Sequence, residues 1–412
     1  MLTEDLVLRP IEPAEYDTFH RFVEGVFLSD PRPGDVADEE HVFECERSAV
    51  AFDGTEMVGS SAILTRELTV PGGPTPAACV TAVAVAPTHR RRGLLTRMMR
   101  TQLHGLHEEG REPVAVLWAS ESAIYGRFGY GMANVQTWVE ADVRQLALRP
   151  DVARGPGTVR MSEPVDARDD LVAVYERVRP ERVGHLGRTG NWWNRRLSFP
   201  ERRRDGFSSL RAAVHHGPDG PDAYALFAPK TGWADDGPDG RLMIRELAAT
   251  TAGAHAALWE LLLGIDLVRT LEWNLAPLDP PLMHQVTDAG RLRTKAFPAL
   301  WMRLVDVDRA LQARRYAAPV DVVFDVTDEF CPWNAGRWRL AADAGSPATC
   351  TRTGDPADLA LSATELGAAY LGGTSLATLA EAGRVRELRP GAVRAAATAF
   401  AEPRQPHCPE IF

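Results

Sequence analysis

"ACVTAVAVAPTHRRRGLLTRMMRTQLHGLHEEGREPVAVLWAS", residues 78–120, sets the fold class. Residues 78–87 are almost wholly apolar, the pattern of a strand buried on both faces. From Leu94 the periodicity is helical, with Leu94, Leu95, Met98, Met99, Gln102, Leu103 and Leu106 along one side and Gly110 placed to end the helix. Residues 113–120 form a second apolar run. Strand, helix and strand in so short a span predict a βαβ unit with a parallel strand pair.

The connecting loop, "THRRRG" (88–93), carries the chemistry. A helix N-terminus leaves N–H groups unpaired and bears partial positive charge, so it suits a phosphate. Arg91, Arg92, Gly93, Leu94 and Leu95 would present those groups, with Thr96 next in line, and Gly93 would let a ligand approach the backbone closely. The guanidinium forks of Arg90, Arg91 and Arg92 would add charge-assisted hydrogen bonds to a diphosphate or a 3′-phosphate. The other reading is a solvated basic helix start, although basic residues there oppose the helix dipole. The loop read alone leaves both open.

Upstream, "DLVLRP" (5–10) alternates like a strand, and residues 14–27 carry Tyr16, Phe19, Phe22, Val23, Val26 and Phe27 at helical spacing. An acidic loop follows, with Asp30, Asp35, Asp38, Glu39, Glu40, Glu44 and Glu46; it either attracts cationic amines or is simply solvated. Asp53-Gly54 signals a hairpin. Downstream, "SAIYGRFGYG" (122–131) puts Tyr125 four residues before Gly129-Tyr130, and Ser120 and Glu121 stand at the end of the second strand.

The chain has 412 residues, too many for one core. A linker-like stretch at 151–160 and a change of pattern near 306 divide it into 1–150, 151–305 and 306–412. The middle segment repeats the strand–helix–strand rhythm at 241–277, but its turn "TTAGAH" lacks the basic residues, so no second anion site is expected. The last segment mixes strands and helices and ends in an extended tail, "AEPRQPHCPEIF". A net charge of −10 disfavours nucleic acid and suits a cationic small molecule. Five scattered cysteines, no signal-peptide pattern and no long apolar run point to a reducing cytoplasm without a membrane span. The histidines lack partners at ligand spacing, so no metal is expected. Trp192 and Trp193 read as core or interface rather than a ligand platform.

"VAVAPTHRRRGLL" resembles the acyl-CoA loop of the GCN5-related N-acetyltransferases, Q/R-x-x-G-x-G/A. Arg90 and Gly93 match its first and fourth positions, and Leu95 departs from the small last one. "SAIYGRFGYG" resembles the superfamily's late motif. With "WMRLVDVDRALQARRY", "ELGAAYLGGTSLATLAEAGRV" and the terminal "CPEIF", these stretches look like the enhanced-intracellular-survival (Eis) family of aminoglycoside N-acetyltransferases, over nearly the whole chain.

The resemblance implies an α/β architecture of three parts: an acetyltransferase domain, a degenerate acetyltransferase-like domain and a sterol-carrier-protein-like domain. It implies acetyl-CoA as co-substrate, with the backbone of Val83, Ala84 and Val85 holding the pantetheine amides and with Ser120 and Glu121 close by. Tyr125 would protonate the departing thiolate, and the terminal carboxylate of Phe412 would be the general base. Glu410 would touch the substrate amine. A homohexamer of two trimers is also implied. Two alternatives are a lipid-binding protein working through residues 306–412, and an acetyltransferase acting on protein lysine or another cellular amine.

Overall fold

The computed structural model describes every residue except 1–5, 31 and 33, so Asp5 of the expected first strand lies outside it. Seven strands form the first sheet. Its N-terminal elements are β1 (Val7–Arg9), β2 (Val50–Asp53), β3 (Glu56–Val70), β4 (Gly73–Val85), β5 (Val114–Trp118) and β6 (Gly131–Met132), with helices α1 (Tyr16–Val26), α2 (Asp35–Glu39), α3 (Leu94–Glu109) and α4 (Ser122–Tyr125). The apolar run at 78–87 is the far end of β4, the second arm of a long hairpin that turns at Pro71-Gly72. Met99, Leu103 and Leu106 of α3 pack onto Val80, Ala115 and Leu117, which explains the helical spacing seen in the sequence.

β4 and β5 are parallel, but they pair only where Ala77–Cys79 meets Val114–Val116. Beyond Cys79 a bulge turns β4 away. Ala82 has φ +51°, the register against β3 shifts between Ser60 and Ala62, and the Ser60 hydroxyl donates to the Ala82 carbonyl at 2.8 Å. The backbone of Val80–Val85 is thereby left without a partner on its β5 side. Sequence periodicity predicts the parallel pair but not this opening.

The two sheets exchange strands. The strand Leu300–Leu304, far along the chain, lies between β5 and β6 in the first sheet. β7 (Val135–Asp142), which follows β6 directly, belongs to the second sheet, where it sits between Val268–Ala276 and Arg293–Pro298. The expected divisions at 150/151 and 305/306 therefore do not follow the sheets: residues 135–142 belong with the second unit and 300–304 with the first. Pairing with a distant strand leaves no local trace in sequence. Asn134 fastens the crossover, its Oδ1 accepting the Leu300 N–H at 2.7 Å.

The second unit has the expected parallel pair, Gly240–Ala249 beside Val268–Ala276, joined by the helix Ala252–Leu263. That helix is capped by its own Thr251, whose hydroxyl accepts from Ala254 N at 3.1 Å. The third unit is a five-stranded sheet backed by helices, with Phe324, Tyr370 and Phe400 in its core. The fully buried guanidinium of Arg314 donates to the carbonyls of Tyr370 and Phe400 at 2.6 and 3.1 Å. No helix among the described residues is long and apolar enough to cross a membrane.

Candidate active site

The splay between β4 and β5 ends at the basic loop. Arg91 (φ +62°) and Gly93 (φ +81°) both take left-handed backbone, and α3 begins at Leu94. A Cβ on Gly93 would meet nothing within 4 Å, so backbone conformation, not packing, calls for glycine there. Arg97 N bonds Gly93 O, but the N–H groups from Arg92 to Thr96 find no acceptor among the described residues. Arg90, Arg91 and Arg92 are exposed, and none pairs with a carboxylate among the described residues. His89 anchors the loop from beneath, its Nε2 3.2 Å from Asp53. Unpaired N–H groups, three guanidiniums without a carboxylate partner among the described residues and an open strand edge fit a diphosphate joined to an amide-bearing arm.

On the inner side of the splay lies a cavity of about 530 Å³. Val80–Val83 and Ser120 form part of its wall, and Tyr125 and Phe412 line the same cavity. Glu121 occupies the N-cap position of the short α4 that carries Tyr125, with no side-chain capping hydrogen bond. Burial, assisted by the Glu121 charge, pushes the Tyr125 phenol up to about 12, so it holds its proton at neutral pH. Tyr130 does not reach the cavity: it is fully buried and its hydroxyl has no partner. The glycines beside it serve packing, since a Cβ on Gly129 would strike Arg303 and one on Gly131 the backbone of Thr364 and Ala368.

The tail from the third unit reaches this cavity. Pro406–Glu410 are all buried in the seam between the first two units. Asn134 Nδ2 donates to Pro406 O at 3.1 Å, and Cys408 N donates to Gln136 Oε1 at 2.8 Å. Gly184 makes room, for a Cβ there would lie 2.6 Å from His407 O. Glu410 then meets Arg66 at 3.1 Å and Arg188 at 3.2 Å. Past this anchor the chain emerges, and the Thr81 hydroxyl donates to a terminal oxygen of Phe412 at 3.1 Å. Phe412 is half-buried, while Ile411 is 55% exposed, so burial of the tail comes from the residues before them.

Two expectations are corrected. Glu410 does not point at an incoming amine: it is 4% exposed, and its carboxylate is consumed by two buried guanidiniums. The acidic loop is not wholly free, because Asp35, Asp38 and Glu39 dock on arginines of the second unit. Asp35 pairs with Arg202 and Arg203, Asp38 with Arg202, and Glu39 with Arg203. Sequence reasoning also missed Thr81, Glu24 and Trp118 in the cavity wall. Only the helical phase of Glu24 could have suggested one of them; the bulge that exposes Thr81 leaves no trace in the sequence pattern. Trp192 is indeed buried, with the Arg66 guanidinium 3.7 Å above its ring, and it also forms part of the wall. No cluster of three or more potential metal ligands occurs among the described residues.

Known proteins resemble the chain in the same three parts. Residues 7–133 and 184–304 each match an acetyltransferase (GNAT) domain, and 307–409 a sterol carrier protein domain. An uncharacterized N-acetyltransferase of Streptomyces avermitilis is 45% identical, with 96% of each chain covered. The N-acetyltransferase Eis of Mycobacterium tuberculosis is 37% identical over 85% of each chain. Among solved structures, Eis1 of Mycobacterium abscessus superposes with a TM-score of 0.84 at 31% identity, covering 99% of this chain and all of that one, 100%. With the open strand, the basic loop and the cavity already in place, the chain belongs to the Eis family of GCN5-related N-acetyltransferases.

Proposed function

We propose that the protein transfers an acetyl group from acetyl-CoA to a primary amine by direct attack within the cavity, with Tyr125 as general acid and the terminal carboxylate of Phe412 as general base. The observation that carries this is the convergence of Tyr125, the Phe412 terminus and the unpaired edge of β4 on one cavity. The N–H groups at Arg91–Thr96 and the guanidiniums of Arg90–Arg92 would hold the diphosphate and 3′-phosphate. The backbone of Val83, Ala84 and Val85 would pair with the pantetheine amides. Ser120 and Glu121, at the end of β5, would flank the thioester.

The Phe412 carboxylate takes a proton from the ammonium, directly or through one water. The amine nitrogen bonds to the acetyl carbon as the carbon–sulfur bond breaks, and Tyr125 gives its proton to the sulfur. The second proton lost by nitrogen returns Tyr125 to the phenol, and one proton leaves to solvent. An unperturbed terminal carboxyl titrates near ~3.5, weak for this task, so exclusion of water by the aromatic walls must assist it. A ping-pong route finds no support: Cys79 and Cys408 are fully buried, and burial, the largest influence on each, raises both thiols.

An aminoglycoside-like polycation is the acceptor the resemblance implies, drawn by Glu24 and the Phe412 carboxylate; a protein lysine or cellular amine uses the same chemistry. The lipid-binding alternative is disfavoured, because the heart of the third unit holds three aromatic rings and the Arg314 guanidinium, a poor bed for an apolar tail. The test is coenzyme A release with an amine panel, wild type beside a variant with one alanine added after Phe412. The expected outcome is turnover by wild type and a loss of ~100-fold or more in kcat for the extended chain, with acetyl-CoA binding retained. Equal kcat for the two chains would remove the carboxylate from the mechanism.

A further inference from the structure

We propose that the second unit carries a binding site of its own, for a small aromatic carboxylate, in a cavity other than the acetyl-transfer cavity. The strand Gly240–Ala249 repeats the opening seen in β4. Its parallel pairing with Val268–Ala276 ends where Ile244 meets Trp273. Against the strand Gly220–Lys230, Leu226 pairs with Glu246 and Phe227 with Ile244, so Arg245 is the bulged residue, left without a cross-strand partner. Arg245 lines a cavity of about 610 Å³ at this opening, with Phe199, Phe207 and Trp138 of β7 in its walls.

Most charges in this wall are matched. Arg196 holds Glu246 at 2.6 Å, Arg203 holds Asp35 at 2.9 Å, and Arg195 lies 3.8 Å from Glu39. Asp38 pairs with Arg202, Glu272 with Arg241, and Glu410 with Arg66 and Arg188. Two guanidiniums are left over. Among the described residues, that of Arg245 has neither a carboxylate nor a hydrogen-bond partner, and that of Arg204 donates only to the Phe199 carbonyl, at 2.8 Å. Nε of Arg245 is sealed in protein, but its two terminal nitrogens are not, and those are the atoms a ligand would meet. Burial first, then the neighbouring Arg196 charge, holds Arg245 down to about 9, as befits a cation short of a counter-ion. Asp205 alone offsets the pair, which leaves one positive charge unanswered. A guanidinium fork with two open nitrogens matches the two oxygens of a carboxylate. The Phe199 ring centroid lies 5.2 Å from the Arg245 guanidinium carbon, so an aromatic body has a bed beside the charge. A phosphate dianion is matched less well, because Asp38, Asp205 and Glu272 line the same cavity.

Arg195 and Ile411 line both cavities, so the probe must be assigned to one of them. Isothermal titration calorimetry on the full-length protein, with coenzyme A present to occupy the basic loop, compares phenylacetate, neutral phenylacetamide and inorganic phosphate. Phenylacetate is expected to bind once per chain, at least ~10-fold more tightly than either other probe, the scale of a charge-assisted hydrogen bond. Arg245→Met, which keeps the length of the side chain, should weaken phenylacetate ~10-fold or more and leave coenzyme A affinity unchanged. Trp138→Glu, at a rim position 39% exposed where folding is safe, should weaken it as well. Phe27→Glu, in the wall of the acetyl-transfer cavity, should not. Equal affinity for the acid and the amide, or tighter binding of phosphate, overturns the ligand class. No binding of phenylacetate to wild type overturns the site. So does binding that survives Arg245→Met but is lost in Phe27→Glu, since the probe then sits in the first cavity.

Discussion

Two tyrosines five residues apart differ in their access to the cavity, and the proposed chemistry falls to only one of them. Tyr125 faces the cavity with its proton held by burial and by Glu121, whereas Tyr130 is sealed behind Arg303. Tyr125→Phe is expected to reduce kcat by ~100-fold or more while leaving acetyl-CoA affinity within a few-fold, measured by initial rates and direct binding. A group raised to about 12 is mostly protonated below that, so the proposed acid would keep its proton throughout the working range. The wild-type kcat profile should therefore show no downturn from Tyr125 below pH ~11, and a fall near pH 9 that disappears in Tyr125→Phe would contradict the assignment. The position of Tyr125 was legible in the sequence because it sits in a short local motif; the Phe412 terminus that shares its cavity lies at the far end of the chain.

Among the elements, the basic loop and the tail act as fixed ends of the site. The loop is fixed by φ values at Arg91 and Gly93, so Gly93→Val should raise KM for acetyl-CoA ~10-fold or more and barely move that for the amine. The tail is fixed by Glu410. Burial opposes its charge, but Arg188 and Arg66 prevail and keep the carboxyl below its usual range. Glu410→Gln is expected to leave two guanidiniums unmatched, to loosen the last two residues and to cut kcat ~10-fold or more. Acetyl-CoA affinity should hold, and carboxypeptidase should release Phe412 faster than from wild type. A variant that keeps kcat while losing Phe412 readily would show that the tail needs no anchor. The acidic character of the loop at 29–46 was readable in sequence, but its docking on Arg202 and Arg203 was not, because the two segments meet only in three dimensions.

At the scale of the molecule, exchanged strands bind the first two units into one cooperative body. Residues 1–133 expressed alone lack Leu300–Leu304, so both β5 and β6 would expose unpaired edges. That fragment is expected to be insoluble, and a soluble, folded fragment by circular dichroism would count against the interlock. The seam is electrostatically dense: Arg188 joins Glu246 at 2.7 Å and Glu410 at 3.2 Å, with Arg196 on Glu246 as well. Burial works against the Glu246 charge, yet Arg188 and Arg196 outweigh it and hold the carboxyl well below the usual value of 4.5. Its contribution is full above 4.5 and is lost as pH falls below it. Buried His185 and His407 lie below 6.5 through burial first, His407 at about 3, so the unfolded chain takes up their protons first on acidification. The melting temperature should accordingly decline below pH ~6.5 and more steeply below ~4.5, and a flat profile to pH 4 would contradict both assignments.

The sequence by itself determined the βαβ unit, the glycine-bearing basic loop, the place of Tyr125, the repeated second unit and the extended, proline-stiffened tail. Each is written in local periodicity, backbone preference or a short motif, and local physics suffices to read it. Only the tertiary structure decided that β4 opens at Ala82, that Leu300–Leu304 completes the first sheet, that Glu410 is an anchor and that Asp35, Asp38 and Glu39 of the acidic loop dock on arginines. Those outcomes depend on which distant groups share a dry interior, where an unmatched charge or an unpaired edge is costly enough to fix the choice of partner.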